Sequence, residues 1–424
     1  MNHASSQSTA DRIIFAGMLL LSFSLALSKS AANILLGLLL LYIVALAIYR
    51  REFRMAIVKN GSQPLLLPLA LFLSVAVIGL LFTENIRDGV GIANKFCGLL
   101  LVYLMISVLL DSLNNGETAD PSAETLLLSF LIGVAALNVI GVMTYLGLVD
   151  HKKFVLPLAP LNVHHIWFSN LNAIAMYTAV SFLLFSSRRH ALRYKIFFYA
   201  FLILGGVSVL LSLSRTAWLG IFLTTSILTA VVVKKKKILF AVLACMLATV
   251  ALLYFLNQIV HTRLNSIVSD ISQFSAGETG TSLGARFLMW KAAFMMFLSN
   301  PLIGVGTGDY VPTMTAYVNG GVFPGVLLEF NQPHNIYLFA LATNGLLGLS
   351  ALLYVFYRGL SFALPLVKNE GGKRLFAFVA VATIVHFMIA GLTDSFFNIQ
   401  ILRYTFAFVM GVCVRKSVTM ARSS

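Results

Sequence analysis

The side chains of this chain that could do chemistry lie in a few polar stretches between long apolar runs. The longest stretch begins with PLIGVGTGDY at 301–310 and ends in NQPHNIYLFALATNGLLGL, where His334 precedes an apolar helix. An imidazole has a pKa near neutral pH, so His334 is a candidate general base. The alternative is a histidine that only caps or hydrogen-bonds the start of the helix.

Two arginines stand out because each interrupts apolar sequence. Arg215 lies in LSLSRTAWLG, where two apolar runs meet, and Arg286 lies in GARFLMW. A charge near that depth is costly unless it faces water, a partner or a ligand. A pair of arginines could hold a diphosphate through bidentate hydrogen bonds. The alternatives are that Arg215 reaches out to lipid headgroups and that Arg286 lies on the solvated face of an interfacial helix.

Other charged and imidazole side chains flank the ends of apolar runs. Lys95, in GIANKFCG, could help to bind an anion. Asp394, in GLTDSFFN, could orient a base or pair with an arginine such as Arg403, although buried structural pairing is the default for it and for Lys95. His165 follows His164, and without further ligands in the pattern an aromatic membrane-belt site is favoured over a metal site. We expect neither a metal nor a cofactor.

The glycine triplet in GVGTGDY admits two interpretations. Gly304, Gly306 and Gly308 could form a loop that cradles phosphate. The segment lacks a preceding strand and a P-loop lysine, so a tight turn is the simpler interpretation.

The composition indicates the elements that must hold these residues. The chain has 424 residues, of which 59% are hydrophobic and 11% are charged, and its three cysteines lie inside apolar runs. We predict an all-α polytopic membrane protein, a single integral membrane domain over 1–424, with about twelve transmembrane helices. The runs lie at 13–27, 31–48, 65–82, 93–110, 124–147, 167–186, 195–213, 216–233, 237–256, 335–357, 374–391 and 397–414.

The net charge of +15 is explained by basic loops rather than by nucleic-acid binding. Loops such as YRREFRMAIVKN and SSRRHALRYK fall on one side if the runs alternate, and the positive-inside rule makes that side cytoplasmic, with both termini. The opposite segments are then external: 83–92, 148–166, 213–216, 257–334 and 392–396. The 257–334 loop, about 78 residues long, should contain an amphipathic helix near 282–300.

The pattern P-L-x-G-x-G-x-G followed by P-H-N resembles the signature region of the O-antigen ligase and polymerase superfamily. SRTAWL at the turn between the seventh and eighth runs, the R-x-x-x-W from Arg286 to Trp290 and the large external loop extend the resemblance over most of the chain. The chain departs from the family where Asp309-Tyr310 stands in place of the common Asn-Phe. The lipopolysaccharide ligases of this superfamily are the most similar in length and loop layout.

The resemblance implies a metal-independent, inverting glycosyltransferase of the bacterial inner membrane. It would move O-antigen glycan from undecaprenyl diphosphate to lipid A-core at the periplasmic face. His334 would act as the base, while Arg215 and Arg286 would stabilise the leaving diphosphate. Further substrate-binding candidates are Lys95, Asn335, His165 and Asp394.

Other functions remain open at this stage. An O-antigen polymerase or a protein O-oligosaccharyltransferase would use the same donor and differ in the acceptor. A transporter or flippase for lipid-linked glycans belongs to a different class and would show inverted repeats and charges buried mid-span. The charges here gather at one membrane face, which favours an enzyme.

The orientation predicts an accessibility difference. A cysteine introduced at Asn319 should react with a membrane-impermeant thiol reagent in intact cells, because 257–334 is external. A cysteine at Lys235 should react only after the cells are opened. Labelling of position 235 in intact cells would contradict the predicted topology.

Overall fold

A computed structural model describes residues 9–49, 63–113, 121–149, 156–187, 190–233, 235–276, 281–368 and 373–422 of the chain. All regular structure within these ranges is helical, and none of it is strand. Parts of the basic loops used for the orientation, at 50–60, 188–189 and 234, lie outside the described residues.

The described α-helices are numbered in chain order. They are α1 (Thr9–Leu27), α2 (Lys29–Tyr49), α3 (Leu66–Gly79), α4 (Ile86–Leu113), α5 (Pro121–Tyr145), α6 (His165–Phe185), α7 (Leu192–Leu211), α8 (Arg215–Val232), α9 (Lys236–Leu256), α10 (Gln258–Ser275), α11 (Ser282–Ser299), α12 (Tyr310–Asn319), α13 (Ile336–Lys368), α14 (Lys373–Ala390) and α15 (Gln400–Arg422). Short 3₁₀ turns lie at Leu80–Phe82, Pro160–Asn162, Gly325–Glu329 and Phe396–Asn398.

Eight helices of the described ranges are long and apolar enough to cross a membrane. Shorter apolar helices lie at Leu66–Phe82, Arg374–Ala390 and Gln400–Val414. Each of the predicted apolar runs overlaps a helix. The prediction of an all-helical polytopic membrane protein is confirmed.

The helices differ in how much of their surface other helices cover. Most side chains of α14 are buried, which makes it a central helix of the bundle. By contrast, α9 has no buried residue, and Phe240 and Phe255 on it are 68% and 80% exposed. Apolar side chains can face lipid tails without penalty, so α9 is stable at the edge of the bundle.

A glycine allows α5 to approach α1 closely. A Cβ atom placed on Gly133 would collide with the carbonyl oxygen of Phe23. Small residues at such crossings let two helix backbones pack directly in membrane proteins. This contact helps to hold the N-terminal helix against the bundle.

Helix α13 is broken at Gly345, whose φ of 59° and ψ of −152° are not helical. The loop after α11 fills the break. Leu346 N donates to the carbonyl of Pro301 at 2.8 Å, and Val305 N donates to that of Ala342 at 2.9 Å. Backbone groups freed inside a membrane bundle must find partners, and this loop supplies them.

The region between α9 and α13 contains helices of its own. The helix predicted near 282–300 is confirmed as α11, which packs against α12 and α13 through a separate cluster that includes Met289, Met296 and Phe339. Helix α10 was not predicted. Its sequence QIVHTRLNSIVSDISQFS places Val260, Leu264 and Ile267 at helical spacing, so the amphipathic pattern was present.

The segments predicted to share one side of the membrane meet at one end of the bundle. Asp309 binds Thr83 and Asn85, and Leu158 N donates to the carbonyl of Leu211. Further bonds join Arg263 to Leu213 and Asn335 to Leu392. If the apolar runs cross the membrane alternately, the segments predicted to be external must lie together at one end of the bundle.

The Gly133 contact generates a stability prediction. Gly133→Ala should lower the unfolding temperature and the folded yield, because overpacking at a rigid backbone costs about 1–3 kcal/mol. The matched control is Gly206→Ala in α7, where nothing lies within 4 Å of the added Cβ. That variant gains helix propensity and should unfold no earlier than the wild type. Equal unfolding temperatures for the two variants, measured in the same detergent, would contradict the close α1–α5 contact.

Candidate functional site

His334 lies in a turn that its neighbours hold in an unusual backbone conformation. Its φ is +49°, in the left-handed region that few non-glycine residues adopt. Asn335 caps α13, since its Oδ1 accepts from the backbone N–H groups of Tyr337 and Leu338 at 2.9 and 3.0 Å. Asn335, and not His334, therefore caps α13. The imidazole of His334 is not needed for the capping role that the sequence had left open.

The imidazole of His334 is aligned by a buried carboxylate. Its Nδ1 lies 3.1 Å from Oδ1 of Asp394, whose side chain is 2% exposed, whereas that of His334 is 25% exposed. The same carboxylate oxygen accepts from Ser395 N at 2.8 Å. The proposed pairing of Asp394 with Arg403 was wrong, because the Arg403 guanidinium donates instead to the carbonyl of Phe397 at 2.9 Å.

The start of α13 is tied to the turn after α14 by further bonds. Ile336 N donates to the carbonyl of Gly391 at 2.8 Å, and Asn335 Nδ2 donates to that of Leu392 at 3.0 Å. The hydroxyl oxygens of Thr393 and Thr216 are 3.0 Å apart, which links the same turn to the start of α8. The His334 turn, the 391–395 turn and the Arg215 region thus form one connected unit.

Helix α11 supplies Arg286 and Trp290 to this unit. The two residues are four apart and share one face of the helix. Trp290 Nε1 donates to the carbonyl of Pro333 at 3.0 Å, so the face that carries Arg286 is turned toward the His334 loop. The tryptophan of the R-x-x-x-W pattern thus binds the backbone immediately before His334.

Arg286 is partly buried beside other charged groups. Burial lowers the pKa of Arg286 below its ordinary value, and the Asp394 carboxylate acts to raise it. Arg215 and Arg263 lower the pKa further by repulsion, and Asp270 opposes them. Among the described residues no carboxylate forms an ion pair with Arg286, so its charge is available to an anion.

Arg215 is the first residue of α8 and pairs with a carboxylate from α10. Its Nη1 lies 3.0 Å from Oδ2 of Asp270, and the two side chains are 18% and 17% exposed. Ser214 caps α8 by accepting from Ala217 N at 3.3 Å. The Arg215 side chain thus faces α10 rather than lipid headgroups.

Some predicted substrate-binding residues have structural partners. His165 Nδ1 lies 2.9 Å from the carbonyl of Ser212, and its ring lies 4.5 Å from that of His164, tilted by 39°. His164 lies within electrostatic range of both Asp394 and His334, which places the pair at the rim of the same unit. Lys95 on α4 lies within electrostatic range of Arg403, which repels it, and of Asp88, which attracts it.

The phosphate-cradle interpretation of the glycine triplet was wrong. The backbone N–H groups of Gly304 and Gly306 donate to the carbonyls of Asn300 and Thr343 at 2.8 and 3.2 Å, so they are not free to bind an anion. Asp309 accepts from Thr83 Oγ1 at 2.6 Å and from the N–H of Asn85 at 2.9 Å. The segment fastens the turn before α4 to the break in α13.

Sequence reasoning missed Arg263 and Asp270, both on α10. Arg263 Nε donates to the carbonyl of Leu213 at 3.2 Å. Their spacing of seven residues places both on one face of an amphipathic helix, and that pattern could have indicated them.

Comparison with known proteins identifies the region that carries these arginines. Residues 199–353 match the family model described as O-antigen ligase. Over 320 residues the chain is 26% identical to a Salmonella typhimurium protein named O-antigen ligase, with 70% of each chain covered. A match at 28% identity over 164 residues is to an uncharacterized protein of Haemophilus influenzae and covers 38% of this chain and 41% of that protein. The chain thus matches less than half the length of the Haemophilus relative.

The family match runs from α7 into α13 and includes four of the site residues predicted from sequence, Arg215, Arg286, His334 and Asn335. Asp394, which aligns His334, lies beyond it. Residues 199–353 therefore carry an O-antigen ligase domain, and over most of its length the chain is similar to a protein named O-antigen ligase.

Proposed function

We propose that the protein transfers O-antigen glycan from undecaprenyl diphosphate to the lipid A-core oligosaccharide. The observation that carries the proposal is a histidine held by a buried carboxylate and lying at the same end of the bundle as Arg215 and Arg286. A base beside an anion-binding group is what a transfer from a diphosphate carrier requires. The relative named O-antigen ligase and the family match support O-antigen as the glycan that is joined.

The base is His334. With the proton on Nδ1 donated to Asp394, the lone pair of Nε2 is available to accept a proton. The buried carboxylate fixes this tautomer and stabilises the imidazolium that forms. The imidazole is partly exposed, so a sugar hydroxyl can approach it.

The leaving group is bound by arginine. Arg286 has no ion-pair partner among the described residues, and Arg215 is anchored at the start of α8. Planar guanidinium groups grip phosphate oxygens in pairs and would take the part that a divalent cation has in other glycosyltransferases. Transfer therefore needs no metal, nucleotide or other cofactor in this proposal.

The reaction is a single displacement. The acceptor hydroxyl oxygen attacks the anomeric carbon of the donor glycan, and its proton passes to Nε2 of His334. The bond from that carbon to the phosphate oxygen breaks, and the electron pair leaves on undecaprenyl diphosphate. One displacement at carbon inverts the anomeric configuration.

We place the site at the periplasmic face of the inner membrane, with about twelve spans and the segment 257–334 outside. The grouping of Arg215, Arg286 and His334 at one end supports an enzyme that works on one face. The acceptor distinguishes this activity from those of a polymerase and of a protein O-oligosaccharyltransferase. Purified protein that joins lipid-linked glycan to lipid A-core, without an ion gradient, would also exclude a transporter.

Arginine geometry generates the first activity prediction. Arg286→Lys and Arg215→Lys should each reduce transfer, because lysine keeps the charge but loses the fork that binds two oxygens. Loss of a charge-assisted hydrogen bond costs about 1.5–3 kcal/mol, or roughly ten- to a hundredfold in rate. The measurement is glycan transfer to lipid A-core at matched folded protein. Arg193→Lys, a substitution at the start of α7 away from the site, is the control, and wild-type rates for the Arg286 variant would refute its role.

The His334–Asp394 pair generates the second activity prediction. His334→Ala and His334→Asn should both reduce transfer by roughly 10²-fold or more, the usual scale for loss of a general base. Binding of undecaprenyl diphosphate should remain nearly unchanged, since the arginines hold it. Asp394→Asn should also slow turnover, because an amide cannot stabilise the imidazolium.

Asparagine serves here as the discriminating substitution, since it can hydrogen-bond but cannot take up a proton near neutral pH. His190→Asn in the loop before α7 is the matched control. Wild-type turnover by the His334→Asn variant would exclude the histidine as the base.

A further inference from the structure

Helix α10 contacts the turn before α8 at two points. Arg263 Nε donates to the carbonyl of Leu213 at 3.2 Å, and Asp270 lies 3.0 Å from Nη1 of Arg215. Seven residues are about two helical turns, so Arg263 and Asp270 project from the same face of α10. That face covers the turn and places two further charges beside Arg215.

Positive charge exceeds negative charge in this cluster. Burial lowers the pKa of Arg263 below its ordinary value; Arg215 lowers it further, and Asp270 opposes the shift. Arg286 lies within electrostatic range of all three. The other nearby carboxylate among the described residues, Asp394, is engaged by His334, whereas Asp270 pairs with Arg215.

An open cavity of about 470 Å³ adjoins the same turn. Its lining is Leu213, Gln258, Ile259, Thr262, Arg263 and Ser266. The Gln258 amide on α10 can donate a hydrogen bond to an anion, whereas the hydroxyls of Thr262 and Ser266 donate to the carbonyls of Gln258 and Arg263 at 2.8 Å. A charged headgroup can therefore reach Arg263 from the open side.

We propose that Arg263 is a third diphosphate-binding arginine and that Asp270 is a counter-ion which bound diphosphate displaces from Arg215. This inference rests on the proposed function. The Asp270 carboxylate occupies on Arg215 the position that a phosphate would take, and it keeps the guanidinium ordered when no carrier is bound. Undecaprenyl diphosphate must then compete with Asp270 for Arg215. The Arg263 guanidinium adds a positive charge that strengthens binding of the diphosphate.

The test measures binding rather than transfer. Full-length protein in lipid nanodiscs is titrated with undecaprenyl diphosphate, and dissociation constants are compared. Asp270→Asn should tighten binding by about two- to fivefold, because it removes a competing ion pair of modest strength. Arg263→Ala should weaken binding by about tenfold, the scale of one charged hydrogen bond.

Matched substitutions separate charge from structure. Arg263→Gln can still donate to the Leu213 carbonyl but carries no charge, so it should weaken binding as Arg263→Ala does. Asp88→Asn and Arg193→Ala make the same charge changes at exposed positions outside the cluster. Both should bind the carrier as the wild type does. Thermal unfolding without ligand identifies any variant that has lost its fold.

The outcomes are distinct. Weaker binding by a folded Asp270→Asn variant would mean that Asp270 only clamps α10, and the counter-ion role would be wrong. Wild-type affinity in Arg263→Gln, together with lost affinity in Arg286→Lys, would overturn the role of Arg263 and leave the proposed function intact. No binding of undecaprenyl diphosphate by the wild type would overturn the proposed function and this inference with it.

Discussion

The contact between His334 and Asp394 joins the turn before α13 to the turn after α14, sixty residues further along the chain. It forms because the cap of α13 and the turn after α14 bind each other through Asn335 and Leu392. A carboxylate that is almost fully buried needs partners, and the imidazole and Ser395 N supply them. Alignment of the histidine therefore depends on the packing of α13 against α14, and hence on the central part of the bundle.

The arginines impose a second constraint at the same end of the molecule. Three guanidinium groups interact there with two carboxylates, in surroundings where charges are poorly solvated. Such a set is stable only if helices hold the groups in place. Arg215 is fixed at the capped start of α8, Arg286 on a helix anchored by Trp290, and Arg263 by its bond to Leu213. Helices α8, α10 and α11 therefore fix the positions of the positive charges at the His334 end of the bundle.

Sequence predicted much of this arrangement for physical reasons. Hydropathy located the long apolar helices because a bilayer demands long apolar runs, and the cost of buried charge pointed to Arg215 and Arg286. Contacts that depend on docking were not predictable. The Arg215–Asp270 pair requires the position of α10, which periodicity alone does not give. Arg403 lies nine residues after Asp394, yet its side chain turns toward Phe397.

The glycine triplet has a consequence for how this sequence tolerates change. Gly304, Gly306 and Gly308 all have positive φ, and a Cβ on each would meet backbone atoms of Ala342, Phe82 or Gly89. No other amino acid combines that conformation with so little space. In a scan of all single substitutions, these positions would be intolerant because of backbone conformation and packing. If these glycines tolerate no substitution, the cause is the packing of their segment against the turn before α4 and the break in α13, and not a chemical role.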